Sequence, residues 1–360
     1  MDHIIWNIGQ DLTLAGMIRA DNCHLYDAAG NKFIDLESGV WCTSVGHCHP
    51  RVQKRLAEQA AQIAHTGYCY AHPVIDETAA KILQLTRLDG GKCVFLCSGS
   101  EAIEFGIRAI RSIDHRPLML TFSDSYCGAY GSASAKRADE WHLFNWHDCN
   151  CAGEMNCEDC PLFKKIPFYK ISTFLFEPGS SSGLVKFPPA KLISAICSAI
   201  RSHGGFVLAN EVTTGIGRTG RWFGFEHYDI HPDIVAIGKG VGNGYPVSIT
   251  AMSSAVMKQL EKKPFIYSQS HQNDPLGAAV ALEVIRVIED EKLIERCRSL
   301  GTFLQGELES IRQRSGHILE IRSRGLMLAI ELNGNASHVQ KELLTRGFIL
   351  VKRPGHEVLR

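Results

Sequence analysis

From Lys92 to Ser270 the sequence swings between two kinds of run, and that alternation limits the fold more than anything else in the chain. Short apolar, β-rich stretches recur: KCVFLCSG, LMLTF, STFLFEP, GFVLANE and DIVAIGKG. Between them lie stretches with helical spacing, such as EAIEFGIRAIRSI and PAKLISAICSAIRSHG, the latter opening after a proline pair and closing at Gly204. Strands alternating with crossover helices build a mostly parallel sheet covered on both faces, because each parallel connection must return over the sheet. The pattern therefore predicts an α/β domain of the doubly wound kind. The flanks differ. Residues 22–37, NCHLYDAAGNKFIDLE, alternate apolar and polar around the turn AAGN, which predicts an antiparallel hairpin. A helical pattern from Asp274 to Gln313 precedes alternating strands at HILEIRSRG and LMLAIELNG. The two ends are thus expected to form a smaller α+β domain together, with boundaries at 1–48, 49–273 and 274–360.

Composition narrows the partners. Lys plus Arg equals Asp plus Glu at 38 each, so no net field draws the chain to nucleic acid or an anionic membrane. A small neutral or zwitterionic substrate suits that balance. The start, MDHIIWNIGQDLTL, lacks a basic segment followed by an unbroken apolar one, and no apolar run is long enough to span a bilayer. A cytoplasmic location is expected, with the thirteen cysteines as thiols or ligands rather than a disulfide framework.

Three places carry candidate chemistry. After KCVFL, the turn Cys97-Ser98-Gly99-Ser100 runs straight into a helix, and a helix N-terminus reached through small residues can hold a phosphate. A plain serine N-cap explains the same residues. After GFVLAN comes the Gly-rich EVTTGIGRTG, at a strand end where open α/β sheets bind ligands, or simply a surface loop. After DIVAIG comes Lys239. A lysine at the buried end of a strand is costly unless neutral or bonded, and a neutral amine is what attacks an aldehyde to form a Schiff base.

The order of these signals resembles the class III aminotransferases, the fold-type-I pyridoxal-phosphate group that includes ornithine, acetylornithine and 4-aminobutyrate aminotransferases. The resemblance runs through FIDLESGVWCTSVGHCHPRV, LCSGSEAIEFGIRAIR, FSDSYCGAYG, LFEPGSSSG, NEVTTGIGRTG, IGKGVGNGYPVS, SQSHQNDPLGAAVALEVI and RGLMLAIEL. It implies a homodimer that moves an amino group from an amino acid or amine to a 2-oxo acid. Lys239 matches the Schiff-base lysine that also shuttles the substrate α-proton. Gly99 and Ser100 match the phosphate cradle, Tyr126 the aromatic on one ring face and Val212 the side chain on the other. Asn210 occupies the place of the partner of the pyridine nitrogen. Ser270 matches a Thr that reaches the phosphate of the neighbouring subunit. Arg360 matches an arginine that holds a substrate carboxylate, and Trp41 is a candidate lining residue of the substrate pocket.

Several positions depart from the family pattern. Asn210 stands in place of an Asp that keeps the pyridine nitrogen protonated, so the ring's electron sink is expected to be weaker. Three outcomes stay open: a slow or specialised transaminase, a racemase, epimerase or aminomutase, or a weakly active or non-catalytic relative. Asn210→Asp is expected to raise the rate. Ala129 and Ser182 replace an Arg and a Glu tied to ornithine-type specificity, so neither ornithine nor acetylornithine is named as substrate. The sequence ends at Arg360, where family chains continue, and a poorly fixed Arg360 and an incomplete small domain are expected. Finally, Cys149, Cys151, Cys157 and Cys160 are spaced C-x-C-x5-C-x2-C. That spacing admits tetrahedral zinc, an iron–sulfur cluster or a reduced cysteine-rich loop. The reduced loop is the expectation, and no metal is assigned.

Overall fold

The computed structural model describes residues 3–6, 12–67, 69–149 and 156–360. Three strands open the chain: β1 (Met17–Asp21), β2 (His24–Asp27) and β3 (Lys32–Asp35). Seven follow in the middle: β4 (Lys92–Leu96), β5 (Leu118–Phe122), β6 (Trp141–Phe144), β7 (Ile171–Phe176), β8 (Phe206–Asn210), β9 (Ile234–Ile237) and β10 (Ser248–Met252). The last four are β11 (Ile318–Arg324), β12 (Met327–Leu332), β13 (Phe348–Ile349) and β14 (Val358–Leu359).

The middle strands form one sheet in the order β4-β10-β9-β8-β7-β5-β6. Pairing is parallel from β6 to β9, and β10 alone runs against its neighbours. Every residue of β7, β8, β9 and β10 is buried, as expected for strands covered on both faces. The five apolar runs read from the sequence are strands of this sheet. Two strands carry no comparable signal. β6 is a four-residue edge strand, and β10, SITAM, opens with polar residues.

The hairpin at 17–35 is joined by β13, which pairs parallel with β3. β11, β12 and β14 form a third sheet. The helical pattern read from Asp274 to Gln313 is two helices, Pro275–Asp290 and Leu293–Ser315, separated where Lys292 adopts φ +51°. Pro at the first position starts the former. It buries its apolar face in the core of the large sheet, whereas the second is mostly exposed. Among the described residues no helix is long and apolar enough to cross a membrane.

Candidate active site

Five strands of the large sheet deliver a functional residue at or just beyond their carboxyl ends. β4 runs into Ser98 and Gly99, β5 is followed by Tyr126, β7 by Glu177, β8 ends on Asn210, and β9 leads to Lys239. This is the edge at which open α/β sheets bind ligands.

At the end of β4 the helix Gly99–Ile113 begins with a capping box. Ser98 Oγ accepts the Glu101 N–H, and the Glu101 carboxylate accepts the Ser98 N–H. Four N–H groups at a helix start lack helical partners. The box takes those of Ser98 and Glu101, which leaves Gly99 and Ser100 as donors at the positive end of the helix dipole. Both sequence-level readings therefore hold at once, since Ser98 is the cap and the next two residues remain available for an anion. Two buried hydroxyls tie this turn to β10: Ser248 Oγ donates to the Ser98 carbonyl (2.7 Å) and Thr250 Oγ1 to that of Ala102 (2.8 Å). Gly99 admits no side chain, because a Cβ there would lie 2.5 Å from Val212 Cγ1. The backbone before Lys239 is equally close, with a Cβ on Gly238 falling 3.2 Å from Gly99 Cα.

Lys239 has φ +45°, a left-handed backbone that costs a non-glycine residue and persists where packing enforces it. Its Nζ donates to Thr213 Oγ1 at 2.9 Å and lies 5.5 Å from the centre of the Trp41 ring. Burial pushes the amine's pKa down, partly offset by Cys42 and Glu177 and reinforced by Arg360 and Arg218. Trp41 is buried, and the Arg360 guanidinium packs 4.5 Å from its ring centre. Arg360, expected to be poorly fixed, is held by its backbone. Arg360 and Val351 exchange both backbone N–H···O=C bonds, and Val358–Leu359 pairs with β12. The Arg360 Nε is buried with no partner among the described residues, while Nη2 lies 3.5 Å from the Glu37 carboxylate. Burial also raises the pKa of Glu37, opposed by the charges of Arg360 and Lys239.

Asn210 is buried and bonded through both ends of its amide. Its Nδ2 donates to Glu177 Oε1 (2.9 Å), and its Oδ1 accepts the Val212 N–H (3.2 Å). Glu177 also accepts the N–H groups of Tyr126, Cys127 and Ser181. One buried carboxylate thus gathers the Tyr126 turn, the Asn210 strand end and the 177–187 loop. An aldehyde-bearing pyridine phosphate suits this set: two free helix-start donors, a half-exposed aromatic at Tyr126, a polar amide at the strand end and a buried amine of lowered pKa.

Residues 6–149 and 154–360 match the family described as aminotransferase class-III. The chain belongs to the class III aminotransferases. Ornithine aminotransferase 1 of Staphylococcus aureus (strain Mu50 / ATCC 700699) is 30% identical over 346 residues, covering 93% of this chain and 86% of that one. Acetylornithine aminotransferase of Nitrosomonas europaea is 29% identical over 358 residues, covering 95% and 88%. An aminotransferase structure from Bacillus anthracis superposes with a TM-score of 0.91 at 22% identity, covering 99% and 90%, and shows the same fold. This class III aminotransferase is accordingly a pyridoxal-phosphate-dependent enzyme with the fold-type-I architecture.

Of the predicted site residues, Lys239, Gly99, Val212, Asn210, Trp41 and Arg360 are linked through the contacts above, and Ser100 and Tyr126 sit on the two turns facing them. Ser100 Oγ accepts the Ala129 N–H. Ser270 is exposed in the connection before Pro275. Sequence reasoning missed Glu177, Thr213 and Glu37. Glu177 ends an apolar strand run, a position that could have singled it out, whereas Thr213 and Glu37 acquire meaning only from contacts across the chain. Arg218 is buried, with Nη2 donating to Ser44 Oγ and the Trp41 carbonyl. Cys151 lies outside the described residues. A recess of about 690 Å³ bordered by His47, Arg218 and Arg296 holds none of the site residues. Chemistry rather than volume picks out the site.

Proposed function

We propose that this aminotransferase attaches its cofactor covalently through Lys239 Nζ, with Gly99 and Ser100 holding the phosphate, Tyr126 and Val212 flanking the ring and Asn210 meeting the pyridine nitrogen. The observation that carries this reading is the buried, pKa-lowered amine of Lys239 beside the uncapped donors of one helix start. When bound, the cofactor supplies the electron sink that makes a substrate Cα–H acidic. Lys239, its amine pKa lowered by burial, would take that proton on Nζ and hand it back, with the Thr213 hydroxyl 2.9 Å off to orient the amine. Asn210 carries no charge of its own. Its Oδ1 is the group left to face a ring N–H, and the Glu177 carboxylate behind Nδ2 polarises the amide in the sense that strengthens Oδ1 as an acceptor.

Arg360 is proposed to take a substrate carboxylate through its fork, aided by the unpartnered Nε, with Glu37 as its counter-ion between substrates. Trp41 walls the space between Arg360 and Lys239 and keeps water from it. The substrates are then an amino acid and a 2-oxo acid that share one carboxylate site. We further propose a cytoplasmic homodimer in which exposed Ser270 reaches the partner's phosphate. The small domain would comprise 1–48 and the chain after Asp290, with the Pro275–Asp290 helix staying with the large sheet into which it packs.

The test is stopped-flow absorbance of the coloured enzyme with a panel of amino acids and amines. A carboxylate-bearing donor should bleach the cofactor band, and a 2-oxo acid should restore it. Reaction without any need for a 2-oxo acid would favour epimerisation or intramolecular amino transfer instead, and no spectral change with any donor would sink the reading.

A further inference from the structure

The connection from β6 to β7, Asn145 to Lys170, is long. Its described elements are single turns at Trp146–Asp148, Cys157–Asp159, Pro161–Lys164 and Phe168–Lys170. Connections of that length are uncommon in compact domains. This one buries three cysteines: Cys157 completely, Cys160 at 3% exposure and Cys149 at 8%. Cys149 and Cys160 are eleven residues apart in the chain, yet their Sγ atoms lie 3.4 Å apart. Between Cys157 and Cys160 one tight turn closes, with the Cys160 N–H donating to the Cys157 carbonyl at 3.1 Å. A C-x2-C turn of that form is how two thiolates grip one ion.

Sulfur spacing separates the readings. A disulfide needs about 2.05 Å between sulfurs. Four thiolates about 2.3 Å from one zinc ion stand about 3.8 Å from one another. The 3.4 Å separation sits near the edge of such a tetrahedron, and a third buried cysteine adjoins it on the same loop.

We propose that Cys149, Cys157 and Cys160 bind a zinc ion as thiolates, in a structural site that staples the β6–β7 connection to the sheet. A fourth donor completes the tetrahedron. Each thiol gives its proton to solvent as its S–Zn bond forms, and nothing is oxidised or reduced. Soft sulfur ligands select zinc over the hard cations magnesium and calcium. The site hangs from edge strand β6, four strand spacings, or about 19 Å, across the sheet from β9 and Lys239. It therefore supports the fold rather than the reaction.

The experiment is elemental analysis of the holoenzyme purified without chelators or metal-affinity resin. About one zinc per chain should survive dialysis and be released when a mercurial blocks the thiols. Cys157→Ser and Cys160→Ser should each lower the zinc to under about a tenth of an ion per chain while the cofactor's visible band persists. Should those variants not fold, the parent protein still decides: a strong chelator should remove the zinc and lower the melting temperature, and added zinc should restore both. Metal-free protein that takes up no added zinc would overturn the proposal. So would a Cys149–Cys160 disulfide in its place, or bound iron with acid-labile sulfide.

Discussion

Replacing Asn210 by Asp would put a carboxylate where the proposed reading sets the pyridine nitrogen, which invites the expectation of a faster enzyme. Glu177 argues otherwise. Asn210 Nδ2 donates to Glu177 Oε1 at 2.9 Å, so Asn210→Asp sets two buried carboxylates in that contact. At an effective dielectric constant near 20, two full charges at that distance repel by about 6 kcal/mol. The protein escapes part of this by keeping one carboxyl protonated. Holding a proton at pH 7 on a group that ordinarily loses it near pH 4 costs about 4 kcal/mol, and about 1.4 kcal/mol at pH 5. The shared proton gives the pair a folded pKa above its unfolded value. Its stability is therefore fully present below about pH 4 and lost as pH rises. Urea unfolding of the cofactor-free protein should show Asn210→Asp weaker than the parent by about 1.4 kcal/mol at pH 5 and by about 4 kcal/mol at pH 7. The double variant Glu177→Gln/Asn210→Asp restores a donor facing the carboxylate. It strands one backbone N–H, that of Cys127, at a cost of about 1–3 kcal/mol that does not vary over this range. A deficit in Asn210→Asp that is the same at pH 5 and pH 7, or absent at both, would refute the reasoning. If it holds, the single substitution does not raise the rate by itself, and the double variant is the one to assay.

Other perturbations follow from the same contacts. Gly99→Ala forces a methyl onto Val212 and should weaken cofactor affinity by about 1–3 kcal/mol in titrations of the apoenzyme; adding Val212→Ala should recover much of the loss, and no recovery would mean the contact is not the cause. Arg360→Ala should raise KM for carboxylate-bearing donors about 10- to 150-fold, the range expected for charged hydrogen bonds, and leave simple amines unaffected. Glu211, wholly buried and bonded to Thr214 Oγ1 and the N–H groups of Gly224 and Phe225, has its pKa raised by burial from 4.5 to about 7. Its contribution is present below pH 4.5 and lost as pH rises through 7, so the parent should lose up to about 3 kcal/mol across that window in urea titrations. Glu211→Gln should be less stable at pH 5 and lack that slope.

The sheet was legible because its strands are unbroken apolar runs, and Lys239 because a lysine beside such a run is conspicuous. β10 was not, since Ser248 and Thr250 look like loop residues until their hydroxyls are seen bonded to the carbonyls of Ser98 and Ala102. The split at Lys292 left no trace because lysine is an ordinary helix residue, and its left-handed turn answers to packing rather than propensity. Thr213 and Glu37 were invisible for a related reason. Their partners, Lys239 and Arg360, lie far along the chain. Departures from a family pattern were easy to see at Asn210, but the residue that decides what the departure means, Glu177, matched the pattern and drew no notice.

The two hydroxyl ties from β10 to the helix start bear on how long the enzyme keeps its cofactor. β10 lies beside β9, whose end leads to Lys239, so the proposed phosphate donors and the proposed anchoring amine are tied to adjacent strands of one sheet. On the proposed reading the lysine lets go during each turnover, and for that interval the helix start is the main hold on the phosphate. The two ties hold those donors in place, because a helix start that pulled away from β10 would strand two hydroxyls in the core. Ser248 and Thr250 therefore govern residence time: shortening them would leave the chemistry of a single turnover intact and let the colour wash out over many.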